Sequence, residues 1–419
     1  MQLHVSVTIC ISSHIPIMIM LFGGTPMEVR VRPGDMLWHY SQLFFIPTVL
    51  IIDSNPGINP YALQVGQTVT IPGFTETSYT VRPGDTFWKI AQSRYLSIDA
   101  LQLLNQQVNP NNLQVGQTIR LPERVTSLIV NPQAHYDFTR MQADLEKLQS
   151  IYPFITRRSA GNSVLNLPLY DIRVGKSDRK VQMNASFHAN EWITTPVLMK
   201  FLNEYLLALT NSYLMSGVDP LIMYERFQLS AIPMVNPDGV SLVLNGPPSG
   251  LENELINLNN GSREFSGWKA NIRGVDLNKQ FPALWEIERD RKPKEPGPRD
   301  FPGTQPLSEP ETQAMANLVR NESFDRLLAL HTQGQEIYWG FEGLEPPESE
   351  VLATDFANLS GYRSVRYVDS FAGYKDWFIQ DFRRPGFTLE LGIGQNPLPI
   401  SQFDEIYSHI QPVLVRALL

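Results

Sequence analysis

Residues 181–191 read VQMNASFHANE, and the organisation of the largest part of the chain follows from this stretch. Its apolar, strand-like start leads directly into His188 and Glu191. Two similar apolar runs end at His331 and at Glu390, with longer helical stretches between them. This alternation indicates an α/β domain, with a mixed, twisted sheet and helices on both of its faces. Because sites in such sheets form beyond the carboxyl ends of strands, we expect these four side chains to meet.

We place this domain at residues 138–419 and predict its main elements from apolar periodicity. The predicted strands and helices are 181–187, 195–209, 227–235, 309–321, 327–330 and 387–391, preceded by a helix that starts at Phe138 and ends before Pro153. For the helix at 309–321, Ser308 is the expected N-cap and Glu311 is expected to close a capping box.

An internal repeat occupies the N-terminal part of the chain. The sequence VRPGD at residues 31–35 recurs at residues 81–85, and LQVGQT at residues 63–68 recurs at residues 113–118. Each copy predicts a strand, a turn, two short helices and a closing strand. The Asp that ends each VRPGD is expected to cap the following helix.

The repeats resemble LysM modules, whose sequences open on Val-x-Pro-Gly-Asp-Thr-hydrophobic-Trp and close on Leu-x-Val-Gly-Gln-x-Ile-x-(Leu/Ile)-Pro. The match predicts two small βααβ modules, at residues 28–73 and 78–123, although Met36 replaces the usual Thr. LysM modules bind polymers that contain N-acetylglucosamine, so the resemblance implies peptidoglycan or chitin as a partner. We expect Trp38 and Trp88 to support folding of their modules, and the loops after them to contact sugar.

Two segments flank the repeats. Residues 1–27 are an apolar extension in which no Lys or Arg occurs, so a secretory signal would be atypical. The alternatives are a short membrane-associated segment and an upstream extension with the true start at Met27, which we prefer. Residues 124–137 read as a linker. No other stretch approaches the ~20 apolar residues of a spanning helix, so no stable membrane span is expected.

The composition restricts the chemistry of partners and metals. The formal net charge of −8, without a run of Lys or Arg, argues against nucleic acid as a partner. Cys10 is the single cysteine, so no intrachain disulfide can form. Any metal site must therefore use His, Asp and Glu.

The residues at the strand ends suit a catalytic metal site. His188, Glu191 and His331 offer two imidazoles and one carboxylate, which leaves the fourth position of a tetrahedral zinc ion open for water. Glu390 would then be the free carboxylate that takes the proton of the water. On these residues alone, the H-x-x-E spacing also fits a surface turn, and His331 also fits a buried histidine.

The surrounding motifs resemble those of the zinc carboxypeptidase family, with its carboxypeptidase A-like fold. In chain order they are HANEW (188–192), NPDG (236–239), GVDLN (274–278), His331, DW (376–377) and FTLE (387–390). The resemblance implies one zinc ion held by His188, Glu191 and His331, with Glu390 as general base. It also places Asn278 at a substrate-anchoring position.

The chain departs from the family pattern at several places. Lys279 stands where classical members carry an Arg that grips the terminal carboxylate of a peptide, and Lys lacks the bidentate guanidinium fork. The Arg that polarises the scissile carbonyl has two possible counterparts, Lys269 and Arg273. The mobile phenol would fall near Val368, which makes Tyr367 a possible substitute.

Two further stretches, WKANIRGVDLN (268–278) and AGYKDW (372–377), together with the LysM repeats, resemble the bacterial γ-D-glutamyl-L-diamino acid endopeptidases. The resemblance implies cleavage of peptidoglycan stem peptides before diaminopimelate or lysine, by an enzyme in the cell wall or outside the cell. The alternative is a wall-tethered metallocarboxypeptidase that acts on ordinary peptide C-termini. A start at Met27 would leave no signal peptide and would allow a cytoplasmic location.

Overall fold

The computed structural model describes residues 25–133 and 135–419. Most of the predicted N-terminal extension, residues 1–24, lies outside the described residues. The first strand nevertheless begins at Thr25, earlier than the start at Glu28 that the repeat suggests, and Met27 is buried in the core.

The two repeats form one three-stranded antiparallel sheet with four short helices. Its elements are β1 (Thr25–Arg30), α1 (Leu37–Phe44), α2 (Thr48–Asp53), β2 (Thr68–Thr80), α3 (Phe87–Gln92), α4 (Ile98–Leu104) and β3 (Thr118–Arg124). The central strand β2 closes the first repeat and opens the second, because it pairs with β1 along its first part and with β3 along its second part. The two βααβ units are therefore present, but they share one strand.

The aspartates of the VRPGD turns do not cap helices, contrary to the prediction. Asp35 accepts hydrogen bonds from the Arg32 amide at 3.0 Å and from the Tyr40 hydroxyl at 2.8 Å. Asp85 likewise accepts from the Arg82 amide, but its tyrosine donor is Tyr79, which precedes the turn on β2. The helices begin one residue later, and there Thr86 caps α3 by accepting from the Lys89 amide. The aspartates thus stabilise the turn itself.

Trp38 and Trp88 are not part of the module cores, contrary to the expectation from the repeat. The two side chains are 61% and 56% exposed, respectively. Their helices instead bury the residue before each tryptophan, Leu37 or Phe87, on the face that meets the sheet. The tryptophans therefore lie on the surface of the repeats, where a ligand can reach them.

The larger domain contains eight strands and ten α-helices among the described residues. The strands are β4 (Thr156–Asn162), β5 (Pro168–Val174), β6 (Lys180–Ala185), β7 (Gln228–Ile232), β8 (Arg326–Thr332), β9 (Glu336–Tyr338), β10 (Arg363–Val365) and β11 (Gly386–Leu391). The helices are α5 (Phe138–Ile151), α6 (Thr194–Asn211), α7 (Pro220–Arg226), α8 (Pro237–Asn245), α9 (Glu252–Leu258), α10 (Trp285–Arg291), α11 (Pro310–Asn321), α12 (Pro347–Ser360), α13 (Tyr374–Phe382) and α14 (Phe403–Arg416). Within the described ranges, no helix is both long enough and apolar enough to cross a bilayer.

The strands form one mixed sheet in the order β10-β9-β11-β8-β6-β7-β5-β4, with a parallel centre of β11, β8, β6 and β7. Alternate side chains of β8 pack into the two hydrophobic cores on the opposite faces of the sheet. Leu328 and Leu330 pack with α6, α12 and α14, whereas Leu327 and Ala329 pack with α11 and α13. The predicted mixed α/β fold with helices on both faces is therefore confirmed.

The start of α11 differs from its prediction. The helix begins at Pro310, with Glu309 at the N-cap position and no side-chain cap. The Ser308 hydroxyl instead lies within hydrogen-bond distance of two acceptors, Gln280 at 3.0 Å and Glu309 at 2.9 Å. The tertiary partner Gln280 thus replaces the local capping interaction that the sequence favours.

The first repeat packs directly on the larger domain. The core of that repeat continues into the cluster formed by α5, α6 and the sheet. Asp53 accepts a hydrogen bond from the Tyr224 hydroxyl and pairs with Lys176. In the predicted linker, the Ile129 and Val130 amides donate to the buried Asn203 side chain at 2.7 and 2.9 Å. The described part of the connection is thus irregular in structure, and Ile129 and Val130 anchor it to α6.

Candidate active site and metal centre

The three central strands bring the candidate residues together. β11 and β6 flank β8 and run parallel to it, so their carboxyl ends lie at one edge of the sheet. In this register Glu390 lies beside His331. His188 follows β6 and precedes a single turn of 3₁₀ helix, Ala189–Glu191, which brings Glu191 back towards His188.

His188, Glu191 and His331 form a compact group of ligand atoms. The Nδ1 atoms of the two histidines are 3.2 Å apart. One Glu191 oxygen lies 2.8 Å from Nδ1 of His188 and the other 2.9 Å from Nδ1 of His331. All three residues are buried, and they form a group able to hold a metal ion. Two imidazoles and one carboxylate match the protein ligands of catalytic zinc sites that keep one position open.

A second carboxylate, Asp276, orients the His188 ring. Asp276 Oδ1 lies 3.1 Å from Nε2 of His188, the ring nitrogen that does not face the ligand group. Such a partner fixes the tautomer and the orientation of a metal-binding histidine. The other Asp276 oxygen lies 2.8 Å from Nζ of Lys269, which also donates to Asp300 at 3.1 Å. Asp276 lies in the GVDLN motif, which is the sequence signal that points to it.

The electrostatics of the group favour a cation. Burial raises the pKa of Glu191, but the charges of His188 and His331 outweigh it and hold that pKa well below its usual value. Burial lowers the pKa of His188, but Glu191 and Asp276 raise it to about 9 overall. The buried carboxylates thus stabilise positive charge at the point where the ligand atoms converge. The donor set and its charge both fit a divalent ion.

Glu390 is a largely buried carboxyl group in the wall of the cavity that holds the ligand group. Burial, followed by the Glu191 charge, raises the pKa of Glu390 to about 8. A carboxyl group with a pKa close to neutrality accepts and returns protons efficiently. Because Glu390 is not one of the three grouped ligands, its carboxylate is available to a water molecule.

A cavity of about 490 Å³ gathers most of the predicted residues. The predicted residues that line it are His188, Glu191, Lys269, Asn278, Lys279 and Glu390. His331 does not line the cavity, but it belongs to the same ligand group as His188 and Glu191, which do.

Arg273 and Tyr367 do not line this cavity. The Arg273 side chain is 55% exposed and lies 3.5 Å from Glu309, its ion-pair partner. Tyr367 is 52% exposed, and its hydroxyl donates to Glu345 at 3.0 Å. Of the two possible carbonyl-polarising residues, only Lys269 faces the ligand group.

Lys279 is buried in the cavity wall. Its ammonium donates to Ser370 at 2.6 Å and to the Phe371 carbonyl at 3.2 Å, and it pairs with Glu288 at 3.2 Å. Burial is the main cause of its lowered pKa. These three acceptors match the three hydrogens of an ammonium group. A substrate carboxylate would therefore have to displace an existing partner.

Arg299 and Tyr338 also line the cavity, and sequence reasoning missed both. Arg299 lies in a segment rich in Pro and charged residues, which gives no periodic signal. Tyr338 ends the three-residue strand β9, and so short a strand is not predictable from alternation. Its pKa is raised by burial and by the Glu390 charge.

Comparison with known families agrees with this geometry. The family described as zinc carboxypeptidase matches residues 141–410, and the LysM domain matches residues 29–72 and 79–122. The chain therefore belongs to the zinc carboxypeptidase family and is a zinc metallopeptidase with two N-terminal LysM domains, as predicted.

Among its relatives, γ-D-glutamyl-L-diamino acid endopeptidase 1 of Lysinibacillus sphaericus is 58% identical over 394 residues, which cover 94% of this chain and 100% of the relative. Mouse mast cell carboxypeptidase A is 25% identical over 55% of this chain and 54% of its own length. The crystal structure of carboxypeptidase A from Helicoverpa armigera superimposes with a TM-score of 0.54 at 16% identity, covering 69% of this chain and 75% of the insect enzyme. That structural match supports the fold.

Proposed function

We propose that this enzyme hydrolyses the bond between the side-chain carboxyl of D-glutamate and the diamino acid of peptidoglycan stem peptides. The observation that carries the proposal is the 58% identity to an endopeptidase of that name over its full length, repeats included. The cavity beside the metal group also suits a charged peptide, because Lys269, Lys279 and Arg299 contribute cations to its wall.

In this proposal, His188, Glu191 and His331 hold one zinc ion. Zinc bound there supplies Lewis-acid activation of water and of the scissile carbonyl. Asp276 acts as a positioning residue, since it holds the His188 ring through Nε2 and leaves Nδ1 for the metal. The Thr332 amide donates to Glu191 at 3.2 Å and so holds the Glu191 carboxylate in place.

Glu390 acts as the general base and Lys269 as the cation that stabilises charge on the carbonyl oxygen. Glu390 takes a proton from the attacking water and passes it to the leaving amine of the diamino acid. Lys269 is held close to the metal group by Asp276 and Asp300, so its ammonium is in place before the oxygen gains charge. Arg273, the other candidate, is held at Glu309 instead.

The γ-linkage leaves the α-carboxylate of D-glutamate free, and the substrate therefore needs a cation on that side of the bond. We assign this contact to Arg299, whose side chain is 61% exposed at the cavity and meets Asp300 at 3.2 Å. Asn278 remains the proposed anchor of the diamino acid backbone. Lys279 contributes its charge to the wall, and Tyr367 would have to leave Glu345 to reach the substrate.

The LysM domains tether the enzyme to peptidoglycan in the cell wall or outside the cell. Exposed Trp38 and Trp88 provide one aromatic surface on each repeat, and aromatic faces with a polar edge suit ligand contact. Two modules on one chain raise the effective concentration of the second contact, which strengthens retention on a polymer.

The test is mass spectrometry of products from purified muropeptides and from an ordinary peptide with a free C-terminus. We expect release of the diamino acid portion from muropeptides, with the L-alanyl-D-glutamate portion left on the sugar. Cleavage of the ordinary peptide alone, one C-terminal residue at a time, would overturn the proposal and establish a wall-tethered carboxypeptidase.

A further inference from the structure

A second cavity, of about 660 Å³, lies between the two repeats. Its walls come from the end of α1, the turn between α3 and α4, and the neighbouring parts of β2 and β3. It shares no lining residue with the catalytic cavity, and neither Trp38 nor Trp88 lines it. The volume is typical of sites that bind small organic ligands. The inter-repeat cavity is therefore separate from the active site and from the tryptophan surfaces.

Phe45 and Tyr95 line this cavity at equivalent positions of the two repeats, 50 residues apart. Each follows the first helix of its repeat and has a left-handed backbone, with φ of 49° and 55°. In both turns the amide of the next residue donates back to a carbonyl of the helix, at 3.2 Å in the first repeat and 3.0 Å in the second. Glycine is the usual residue at this position of such a turn, because a bulky side chain is strained there.

Neither aromatic ring is buried in compensation for this strain. The Phe45 side chain is 78% exposed and the Tyr95 side chain is 99% exposed. Glycine would suit both the backbone and the contact with water better, yet a large ring occupies the position in both repeats. Strained residues of this kind are concentrated at ligand sites. The pair therefore indicates a ligand that contacts both repeats at once.

Arg124 on β3 anchors the first of these turns. Its guanidinium donates to the carbonyl of Phe44, next to Phe45, and to the carbonyl of Thr210 at the end of α6. The same group lies over the Phe74 ring, 4.5 Å from the ring centroid. The second repeat and the larger domain thus hold the backbone beside Phe45 in place before any ligand arrives.

The surface of the cavity combines apolar and polar groups. Phe44, Phe74 and Leu121 provide buried apolar side chains. Gln42 and Ser78 are exposed, and within the described ranges neither side chain has a hydrogen-bond partner. A sugar ring presents C–H groups on its face and hydroxyls at its edge, so it can use both kinds of group. An acyl chain would leave the polar groups without partners.

The charges of the cavity also restrict the ligand. Its charged side chains are Arg94, Glu123 and Arg124, which are of both signs. Arg124 is already engaged by two carbonyls, and Arg94 lies over the Tyr79 ring at 4.7 Å. Such a site favours neither a polyanion nor a polycation. A neutral or weakly charged oligosaccharide fits it better.

We propose that the inter-repeat cavity is a further carbohydrate site, which binds a short stretch of N-acetylhexosamine glycan between Phe45 and Tyr95. The proposal rests on the proposed function only in that the repeats bind peptidoglycan, and the site is additional to the tryptophan surfaces. Each ring stacks on the face of one sugar. Gln42 and Ser78 form hydrogen bonds with hydroxyl or acetamido groups.

The first test is hydrogen exchange, followed by mass spectrometry, on the full-length enzyme. The probe is a tetrasaccharide of alternating N-acetylglucosamine and N-acetylmuramic acid that carries no stem peptide, so the catalytic cavity has no peptide to bind. We expect saturating tetrasaccharide to slow the exchange of amides in residues 42–46 and 94–97. Unchanged exchange in both segments would overturn the proposal.

The second test measures the Kd of the same tetrasaccharide by calorimetry for Phe45→Gly and Tyr95→Gly. Each variant loses one stacking ring, so its Kd should rise about tenfold. The Tm should not fall, because glycine suits the left-handed backbone. Weaker binding can therefore be told apart from unfolding. Phe45→Trp keeps an aromatic face and should keep the wild-type Kd.

Arg383→Gly is the matched control. Arg383 is exposed, has a φ of 53° and follows α13 in the larger domain, so the variant makes the same backbone change away from the repeats. Its Kd for the tetrasaccharide should equal that of the wild type. Hydrolysis of a soluble tripeptide should stay unchanged in Phe45→Gly and Tyr95→Gly, since the two cavities share no residue.

The outcomes separate this site from the proposed function. A wild-type Kd in both Phe45→Gly and Tyr95→Gly would overturn the carbohydrate site and leave the tryptophan surfaces as the tether. Loss of affinity in Arg383→Gly as well would also overturn it, because the effect would not be specific to the cavity. If the wild-type enzyme binds neither the tetrasaccharide nor insoluble peptidoglycan, the proposed tether fails and the inference fails with it.

Discussion

Glu311 should make the fold less stable as the pH rises through neutrality. The side chain is buried at the start of α11, where it accepts from the Val164 amide at 3.2 Å. Burial, followed in the same direction by the Asp238 and Glu309 charges, raises its pKa from 4.5 to about 7. At a pH between these two pKa values, Glu311 is protonated in the folded protein but ionised in the unfolded chain. The free energy of unfolding therefore falls as pH rises through this window and stays lower above about pH 7.

The magnitude follows from the difference between the two pKa values. At about 1.4 kcal/mol for each pH unit, the full effect is roughly 3 kcal/mol, of which roughly 2–3 kcal/mol falls between pH 5 and pH 8. Glu311→Gln keeps an oxygen for the Val164 amide and removes the titration. The variant should therefore equal the wild type near pH 5 and exceed its stability at pH 8.

Urea unfolding monitored by tryptophan fluorescence at pH 5 and pH 8 measures this difference. Titrating groups far from Glu311 contribute equally to both proteins, so they cancel when the two are compared. The reasoning would be refuted if the unfolding free energies of the wild type and of Glu311→Gln changed in parallel between pH 5 and pH 8.

Four further predictions concern zinc, catalysis and wall binding. His331→Ala should lose zinc by metal analysis; stoichiometric zinc in the folded variant would remove His331 from the ligand set. Glu390→Gln should keep zinc but lower kcat by about 10²–10⁴-fold, and a near-normal kcat would contradict its role as base. Lys269→Met should lower kcat by about 10²-fold or more, whereas Arg273→Met should not; the reverse order would exchange their roles. Trp88→Ala should weaken sedimentation with insoluble peptidoglycan but leave hydrolysis of a soluble tripeptide unchanged, and equal sedimentation would exclude that tryptophan from binding.

The features that the sequence predicted well are those that depend on local periodicity and strand order. The apolar run before His188 became β6, the run before His331 became β8, and the run before Glu390 became β11. Parallel pairing of neighbouring strands then brings their ends together, so the convergence of these side chains followed without knowledge of loops.

The features that sequence reasoning missed depend on loop conformation and on tertiary partners. Lys269 and Arg273 are close in sequence, yet Asp276 holds one near the metal group while Glu309 holds the other away from it. The burial of Lys279 likewise follows from Glu288, which lies on another element. No periodic pattern encodes such pairings, because each is made between segments whose relative position is set by the whole domain.

The strand that both repeats share also limits the motion of the repeats relative to the larger domain. The strand β2 belongs to both repeats, and the first repeat shares its core with the larger domain. The two repeats and the larger domain are therefore held together by packing and strand pairing, not by a flexible linker. A sugar chain held by the repeats would then meet the zinc cleft at a set distance and angle. The fixed distance between the repeats and the active site would then determine which stem peptides along the sugar chain can be cleaved.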